Sequence, residues 1–430
     1  MKILLRGGRV IDPAQNLEDV CDLLVVDGRV AALEKGIEAD GETKVLDVEG
    51  CIVAPGFIDM HVHLREPGYE QKETIATGTR AAAAGGFTAV ACMPNTQPVA
   101  DCGAVIAYIR ERVRQSGVVR VYPVGALSKG CKGEELAEIR DLVEAGAVAI
   151  SDDGRPVMNG EVMRRALEYS RLFDIPVISH CEDLHLAADG VMHEGIMSTV
   201  LGLRGIPAAA EEVMVARDLI LAGLTGGRLH LAHLSSAASV EMVRQAKERG
   251  LKVTAEVTPH HLCLTDEAVA GYDTSTKVNP PLRDEGHRAA LAEGLAEGVI
   301  DVLATDHAPH AEEEKDVEYD LAPFGMVGLE TAVPLVVTKL VKTGRLSWRR
   351  LVEVFSLQPA RILKVPGGTL AVGSAADITV INPELEREVH VSRFYSQGKN
   401  SPFNGWRLQG WPVVTVVGGR LVMEEGKVLV

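Results

Sequence analysis

Apolar residues follow two rhythms along this chain. The N-terminal stretch reads KILLRGGRVID, DLLVVDGRVAAL and TKVLDVEG, and the C-terminal stretch reads ADITVINP and VVTVVGGRLVMEEGKVLV. Both are short β-like runs broken by Gly-Gly and Asp-Gly pairs, which signal hairpins. Neither block carries enough apolar surface for a core of its own, so the two ends are expected to pair into one small β-sandwich. Between them, eight near-continuous apolar runs read as strands: GFIDMHVHL, FTAVACMPN, VRVYPVGAL, AVAISDDG, IPVISHCED, RLHLAHLSS, LKVTAEVTPHH and VIDVLATDHAPH. Each precedes a helix-like run, from ETIATGTRAAAA after the first, through GEELAEIRDLVEA after the third, to GLETAVPLVVTKLVK after the eighth. SWRRLVEVFS reads as an additional helix. Glycines stand where helices should stop, at Gly85, Gly117, Gly146, Gly226, Gly250 and Gly298. Eight such units predict an α/β protein, a (β/α)8 TIM barrel with a small β-sandwich domain formed by the N- and C-terminal segments. The expected boundaries are 1–53, 54–365 and 366–430. An open doubly wound sheet is the competing reading, weakened because no GxGxxG follows an early strand.

The polar residues sharpen this picture. Parallel strands are buried on both faces and should be apolar throughout. These are, until their last residues: the first ends in His61 and His63, the fourth in Asp152 and Asp153, the fifth in His180, the sixth in His233 and the eighth in Asp306. Active sites of such barrels are built at the C-terminal ends of the strands, so five strands deliver His or Asp to one rim. His61 and His63 lie two apart and point to the same side of their strand. Four histidines and an aspartate exceed the three protein ligands of a single catalytic zinc, which suggests two metals sharing a bridging group. Imidazole with carboxylate suits Zn2+ better than Mg2+ or Ca2+. Periodicity does not choose between Asp152 and Asp153, since one points in and the other out. His260 and His261 follow the seventh strand, and second-sphere or packing roles are expected for them. His307 should point away from the metals. Asp59, one step deeper than His61, is expected in a second-sphere or core polar role and not as a ligand. His185, His193, His230, His287 and His390 carry no functional expectation.

Composition narrows the partners. The 430 residues are 46% hydrophobic and carry a net charge of −16. An acidic surface repels nucleic acid and anionic membranes, so neither is expected. It does nothing to attract an anionic substrate, which local cations in the site must then capture. The first apolar run is too short for a signal peptide and no stretch suits a membrane span. The seven cysteines are scattered and include no CxxC pair, so reduced thiols and a cytoplasmic location are expected.

APGFIDMHVHLREPG, MPNT, SDDG, SHCED, AHLSS, TPHHL, NPPLR, TDHAPH and SPFNGW together resemble the amidohydrolase superfamily, and within it the bacterial type I dihydroorotases. The resemblance runs over essentially the whole chain. It implies one zinc held by His61, His63 and Asp306, and a second held by His180 and His233, with two ions favoured over one. Hydantoinases, dihydropyrimidinases and many dihydroorotases bridge the metals with a carboxylated lysine. The fourth strand here ends in Ser151-Asp152-Asp153, and the resemblance places the bridge at Asp153. It further implies that His63, Arg65, Asn95, Asn279 and His310 contact substrate, with backbone groups of Phe324 and Gly325 meeting the pyrimidine edge. Arginine is the natural fork for a carboxylate. The implied reaction is the reversible cyclisation of N-carbamoyl-L-aspartate to L-dihydroorotate in pyrimidine synthesis, by a zinc-activated hydroxide with Asp306 as general acid and base. A hydantoinase or allantoinase is the nearest alternative, and a non-catalytic dihydroorotase-like scaffold the alternative from another class. The partner is a small molecule. A homo-oligomer, a dimer, is expected, and association with aspartate transcarbamoylase is left open. The polar segment from His310 to Phe324 reads either as a cover for the site or as a solvated loop.

Overall fold

One short strand joins the two ends of the chain. In the computed structural model, which describes residues 2–429, the buried strand Ile52–Pro55 runs parallel to Lys2–Asp12 on one side and antiparallel to Ile378–Glu388 on the other. The β-sandwich expected of the paired ends thus takes the form of one continuous nine-stranded mixed sheet. Its apolar side chains, among them Ile3, Leu5, Leu23, Val53, Ile378, Val380 and Val416, form a separate core. Asp27-Gly28 and Gly418-Gly419 make the tight turns read from the sequence, all four residues having positive φ. Gly7-Gly8 does not: it lies inside Lys2–Asp12, where the register against Leu17–Val26 slips. An extra residue in one strand forms a bulge there, not a hairpin.

Gly56 carries the chain from this sheet into the barrel. A Cβ there would sit 2.1 Å from Thr88 Oγ1. The eight barrel strands follow: β1 (Phe57–Val62), β2 (Phe87–Cys92), β3 (Arg120–Ala126), β4 (Ala149–Ser151), β5 (Val177–Ser179), β6 (Leu229–Leu231), β7 (Val253–Val257) and β8 (Val302–Leu303). They are hydrogen-bonded neighbours in chain order. The ring closes beyond β8, where Val62 bridges His307 and the His63 amide donates to the His307 carbonyl at 2.8 Å. Asp59 reinforces the closure by accepting from the Thr305 and His61 amides. Its complete burial pushes its pKa up to about 7 despite those bonds.

Inside the barrel, Met60, Ala91, Val124, Ala149, Ile178, Ala232 and Val302 pack in one cluster with Ile362 and Leu363. Outside, the helices bury their apolar faces in the main core, where Phe57 stacks on Phe355 at 5.3 Å and Phe87 meets both edge-on. Each such buried ring contributes about 1.5–3 kcal/mol. Gly85, Gly117, Gly146, Gly226 and Gly298 cap the helices they were expected to end. Three departures matter. The third helix is confined to Ile139–Ala145, because Leu136 bridges back to Ser128 and the segment before it is a turn. The eighth is regular only over Ala332–Val336 and then widens through Val341; Pro334 within it has no N–H to donate. Between β5 and the helix Ala209–Thr225 lies an unexpected excursion: two short helices, Leu184–Ala187 and Ile196–Leu201, and a two-stranded ribbon of Met192–His193 with Gly205–Ile206. Among the described residues no helix is long and apolar enough to cross a membrane, and all seven cysteines are unpaired.

Candidate metal centre and adjoining cavity

The strand ends bring six side chains together. His61 Nε2 lies 3.1 Å from Asp153 Oδ2 and 3.6 Å from Asp306 Oδ1; His63 Nε2 lies 3.4 and 3.0 Å from the same two atoms. The other oxygen of Asp153 faces a second pair: Oδ1 is 3.4 Å from His233 Nε2 and 3.8 Å from His180 Nδ1, and those two nitrogens are 3.0 Å apart. Ligands at 2.0–2.2 Å around a tetrahedral ion are about 3.3–3.6 Å from one another, so the donor spacing fits a metal of that size. The satisfaction of the buried atoms agrees. His61 Nε2 and Asp153 Oδ1 are buried without a hydrogen-bond partner among the described residues, which is unusual unless a ligand supplies one. Asp152, the alternative to Asp153, faces away. It accepts from the Ser128 amide at 2.9 Å and from the Ser128 hydroxyl.

Neighbouring groups set which ring nitrogen His61 and His63 present. The Asn95 carbonyl oxygen is 2.9 Å from His63 Nδ1, which leaves Nε2 turned to Asp306. His180 turns Nδ1 to Asp153; its Nε2 lies 3.6 Å from Glu182 and is buried without a hydrogen-bond partner among the described residues. Glu256, wholly buried in β7, stands 2.6 Å from His61 Nδ1. Burial alone would raise the pKa of Asp153 and Asp306, but the charge of His61, with the close approach of His233 to Asp153 and the hydrogen bond from His63 to Asp306, holds both well below the carboxylate range. Burial opposes a proton on His61, yet the Asp153 and Glu256 charges favour one. A site that favours a proton this way also favours a metal cation, which displaces it. Arg65, His233 and Asp306 have φ of 62°, 30° and 47°. Such strain outside glycine costs about 1–3 kcal/mol per residue and clusters at functional sites.

Above this centre is a cavity of about 190 Å3 lined by His63, Arg65, Asn95, Asp153, Gly154, His180, His233, Asn279, Asp306, Ala308, His310, Phe324 and Gly325. Every residue expected to touch substrate lines it. Arg65 commits Nε to the Pro309 carbonyl, 3.1 Å away. Asn279 donates to Glu182 at 3.1 Å. His310 Nε2 donates to the Phe324 carbonyl at 2.9 Å and so holds the Phe324–Gly325 edge in place, while Nδ1 lies 3.3 Å from Glu314. The segment leading to that edge is anchored: Lys315, 8% exposed, donates to the Thr274 and Pro323 carbonyls. A larger cleft of about 680 Å3, lined by Arg9, Glu49, Lys342, Trp348 and Glu384 among others, has no histidine or aspartate in its wall.

Of the other histidines, His260 keeps Nε2 buried without a hydrogen-bond partner among the described residues. His261 bonds Thr258 and the Pro280 carbonyl, and His307 turns to Glu73 and Gly328. His193, Asp284 and His287 form another compact group, but its chemistry does not suit a metal. His193 Nδ1 accepts from Arg283 and His287 Nδ1 accepts from the Ala237 amide, so each Nε2 carries the proton. Sequence reasoning passed over Glu182, Glu256 and His230. The signal for Glu256 was available: it is a carboxylate inside a strand that should be apolar.

A family model described as dihydro-orotase-like matches residues 50–239. A protein named dihydroorotase from Pelotomaculum thermopropionicum is 61% identical over 425 residues, covering 99% of both chains. One of the same name from Syntrophus aciditrophicus is 55% identical over 426 residues, covering 99% of this chain and 100% of its own. Among solved structures, an L-hydantoinase (dihydropyrimidinase) from Arthrobacter aurescens superposes with a TM-score of 0.90 at 28% identity, covering 100% of this chain and 97% of its own.

Proposed function

The chain belongs to the dihydroorotase family, and on that premise we propose that it interconverts N-carbamoyl-L-aspartate and L-dihydroorotate at the rim of the barrel. The observation that carries this reading is the placement of Asp153 between two histidine pairs, one facing each oxygen, directly beneath the cavity that Arg65 and Asn95 line. His61, His63 and Asp306 would hold one zinc, His180 and His233 a second, and Asp153 both. When bound, zinc lowers the pKa of a water toward neutrality and polarises a carbonyl.

The chain's own groups do the rest. Asp306 is the best placed to carry a proton. It is 9% exposed, it opens on the cavity, and its Oδ1 stands beside both His61 and His63. In the hydrolytic direction it takes the proton of the attacking water and returns it to the departing ring nitrogen; in cyclisation the transfers reverse. Arg65, whose Nη2 lies 3.5 Å from His310 Nε2, lines the cavity and is the cation that an anionic substrate needs in so acidic a protein. Asn95, with its oxygen engaged by His63, offers its amide N–H to the same carboxylate. Asn279 and the Phe324–Gly325 backbone face the ring amides. We take residues 54–365 as the catalytic unit and 1–53 with 366–430 as the sheet that braces it.

Metal content and turnover of both substrates, measured on one preparation, test this. Chelation should abolish activity and zinc restore it. Full activity in metal-free protein refutes the centre, and turnover of a hydantoin in preference to dihydroorotate refutes the substrate.

A further inference from the structure

We propose that Glu256 is a positioning residue for the metal centre: it fixes His61 in the tautomer that presents a lone pair to the ion and pins the backbone of His233, so that one buried carboxylate organises ligands from both histidine pairs. The inference rests on reading the rim as a metal centre.

Glu256 is fully buried in β7 and does not line the cavity. Oε1 is 2.6 Å from His61 Nδ1 and 3.2 Å from the His233 amide; Oε2 is 3.0 Å from His230 Nε2. An ionised carboxylate only accepts, so His61 Nδ1 must carry a proton. Nε2 is then bare, and it is the atom that points at Asp153 and lacks a hydrogen-bond partner. The same oxygen holds the His233 amide where that residue adopts a positive φ of 30°. A carboxylate at this depth is costly unless every lone pair is used, and an apolar residue would be the default in a barrel strand. The backing of the other ligands differs: His63 has the neutral Asn95 amide, and His180 has Glu182 only at 3.6 Å. Of these three, His61 alone is backed at its outer nitrogen by a short contact to a buried carboxylate. Such partners raise the basicity of a metal-bound imidazole and fix its orientation, and losing one costs about 10–100-fold in metal affinity.

Zinc affinity of the full-length protein, measured by competition with a chromophoric chelator, provides the test. Glu256→Gln is isosteric and should weaken zinc about 10–100-fold, while KM for dihydroorotate in excess zinc stays within about twofold, because no substrate contact is removed. His230→Ala removes the partner of the other oxygen and should leave zinc affinity within about threefold of the wild type, well short of the usual loss of a partner acting through a ligand. Equal losses in the two variants would make Glu256 a mere packing group and overturn the proposal, as would unchanged affinity in Glu256→Gln. Should Glu256→Gln fail to fold, nitrogen NMR of the zinc-loaded wild type decides: His61 protonated at Nδ1 supports the proposal, and His61 protonated at Nε2 overturns it. A wild type that turns over dihydroorotate without binding zinc would instead refute the metal centre itself.

Discussion

Exchanging the adjacent aspartates Asp152 and Asp153 for alanine should produce opposite defects. Asp152→Ala removes the acceptor for the Ser128 amide and hydroxyl. Ser128 is wholly buried, so its amide is left unsatisfied at about 1–3 kcal/mol, and the lost charge-assisted bond costs a similar amount. Relief of the buried carboxylate, whose pKa burial raises, returns part of this. The net loss is about 2–4 kcal/mol, which lowers the melting point by several degrees in zinc-free and zinc-loaded protein alike. Asp153→Ala acts on the ions instead. Both histidine pairs lose their shared anion, a larger change than loss of an outer partner, so each affinity should fall by at least about 100-fold. Zinc at a thousand times the wild-type Kd stabilises by about 4 kcal/mol, and after a 100-fold loss by only about 1.4 kcal/mol. A thermal melt with and without zinc reads this increment directly, and metal analysis after desalting checks it. Bicarbonate should change nothing, since strand four offers no amine to carboxylate. If Asp152→Ala loses the zinc increment and Asp153→Ala keeps it, the assignment is wrong.

Three other outcomes are expected. Asp306→Asn keeps a ligand oxygen but cannot accept a proton, so zinc should be partly retained while kcat falls by about 10²–10⁴-fold; near-normal turnover would assign the proton transfer elsewhere. Arg65→Gln removes the cation facing the cavity and should raise KM by about 10-fold or more, the scale of a charge-assisted bond, whereas an unchanged KM would make Arg65 a loop residue. His193 is 5% exposed, and burial together with the Arg283 and His287 charges lowers its pKa to about 4. The unfolded chain, with an ordinary histidine, therefore binds more protons between about pH 4 and 6.5, so the melting point should fall as pH drops through that window. His193→Asn should flatten that part of the curve, and an unaltered slope would show that His193 does not titrate there.

The parts of the fold legible in the sequence are those where burial forces a pattern. The barrel strands are buried on both faces, so their apolar runs stood out even where β8 is only Val302–Leu303 in the structure. The excursion over 184–206 was not legible, because its ribbon strands are two residues each. No periodicity develops in so short a span. Its position is set by contacts remote in sequence, Val191 and Met192 packing with Val269 and Tyr319. Gly7-Gly8 misled for a related reason. The same dipeptide serves a turn or a bulge, and only the pairing partner decides which.

In the site, legibility followed position along the strand. His61, His63, His180, His233 and Asp306 break apolar runs at their C-terminal ends, where a barrel builds its chemistry, so one rule found them all. The choice between Asp152 and Asp153 was beyond that rule, because it depends on the Ser128 hydroxyl and amide, contributed by another strand's loop. Glu256 and His230 break their strands earlier, below the rim, and were passed over for that reason. Yet a polar residue deeper in a barrel is the stronger signal. At the rim, solvent can satisfy a stray histidine. Below it, each lone pair of Glu256 must be met by a protein donor, and the donors it found are His230, the far side of a candidate ligand, His61, and the backbone of another, His233. The candidate site can therefore be read from the inside outward: a buried acceptor fixes a tautomer, the tautomer bares a nitrogen, and the bared nitrogens of two strands converge on one carboxylate of a third.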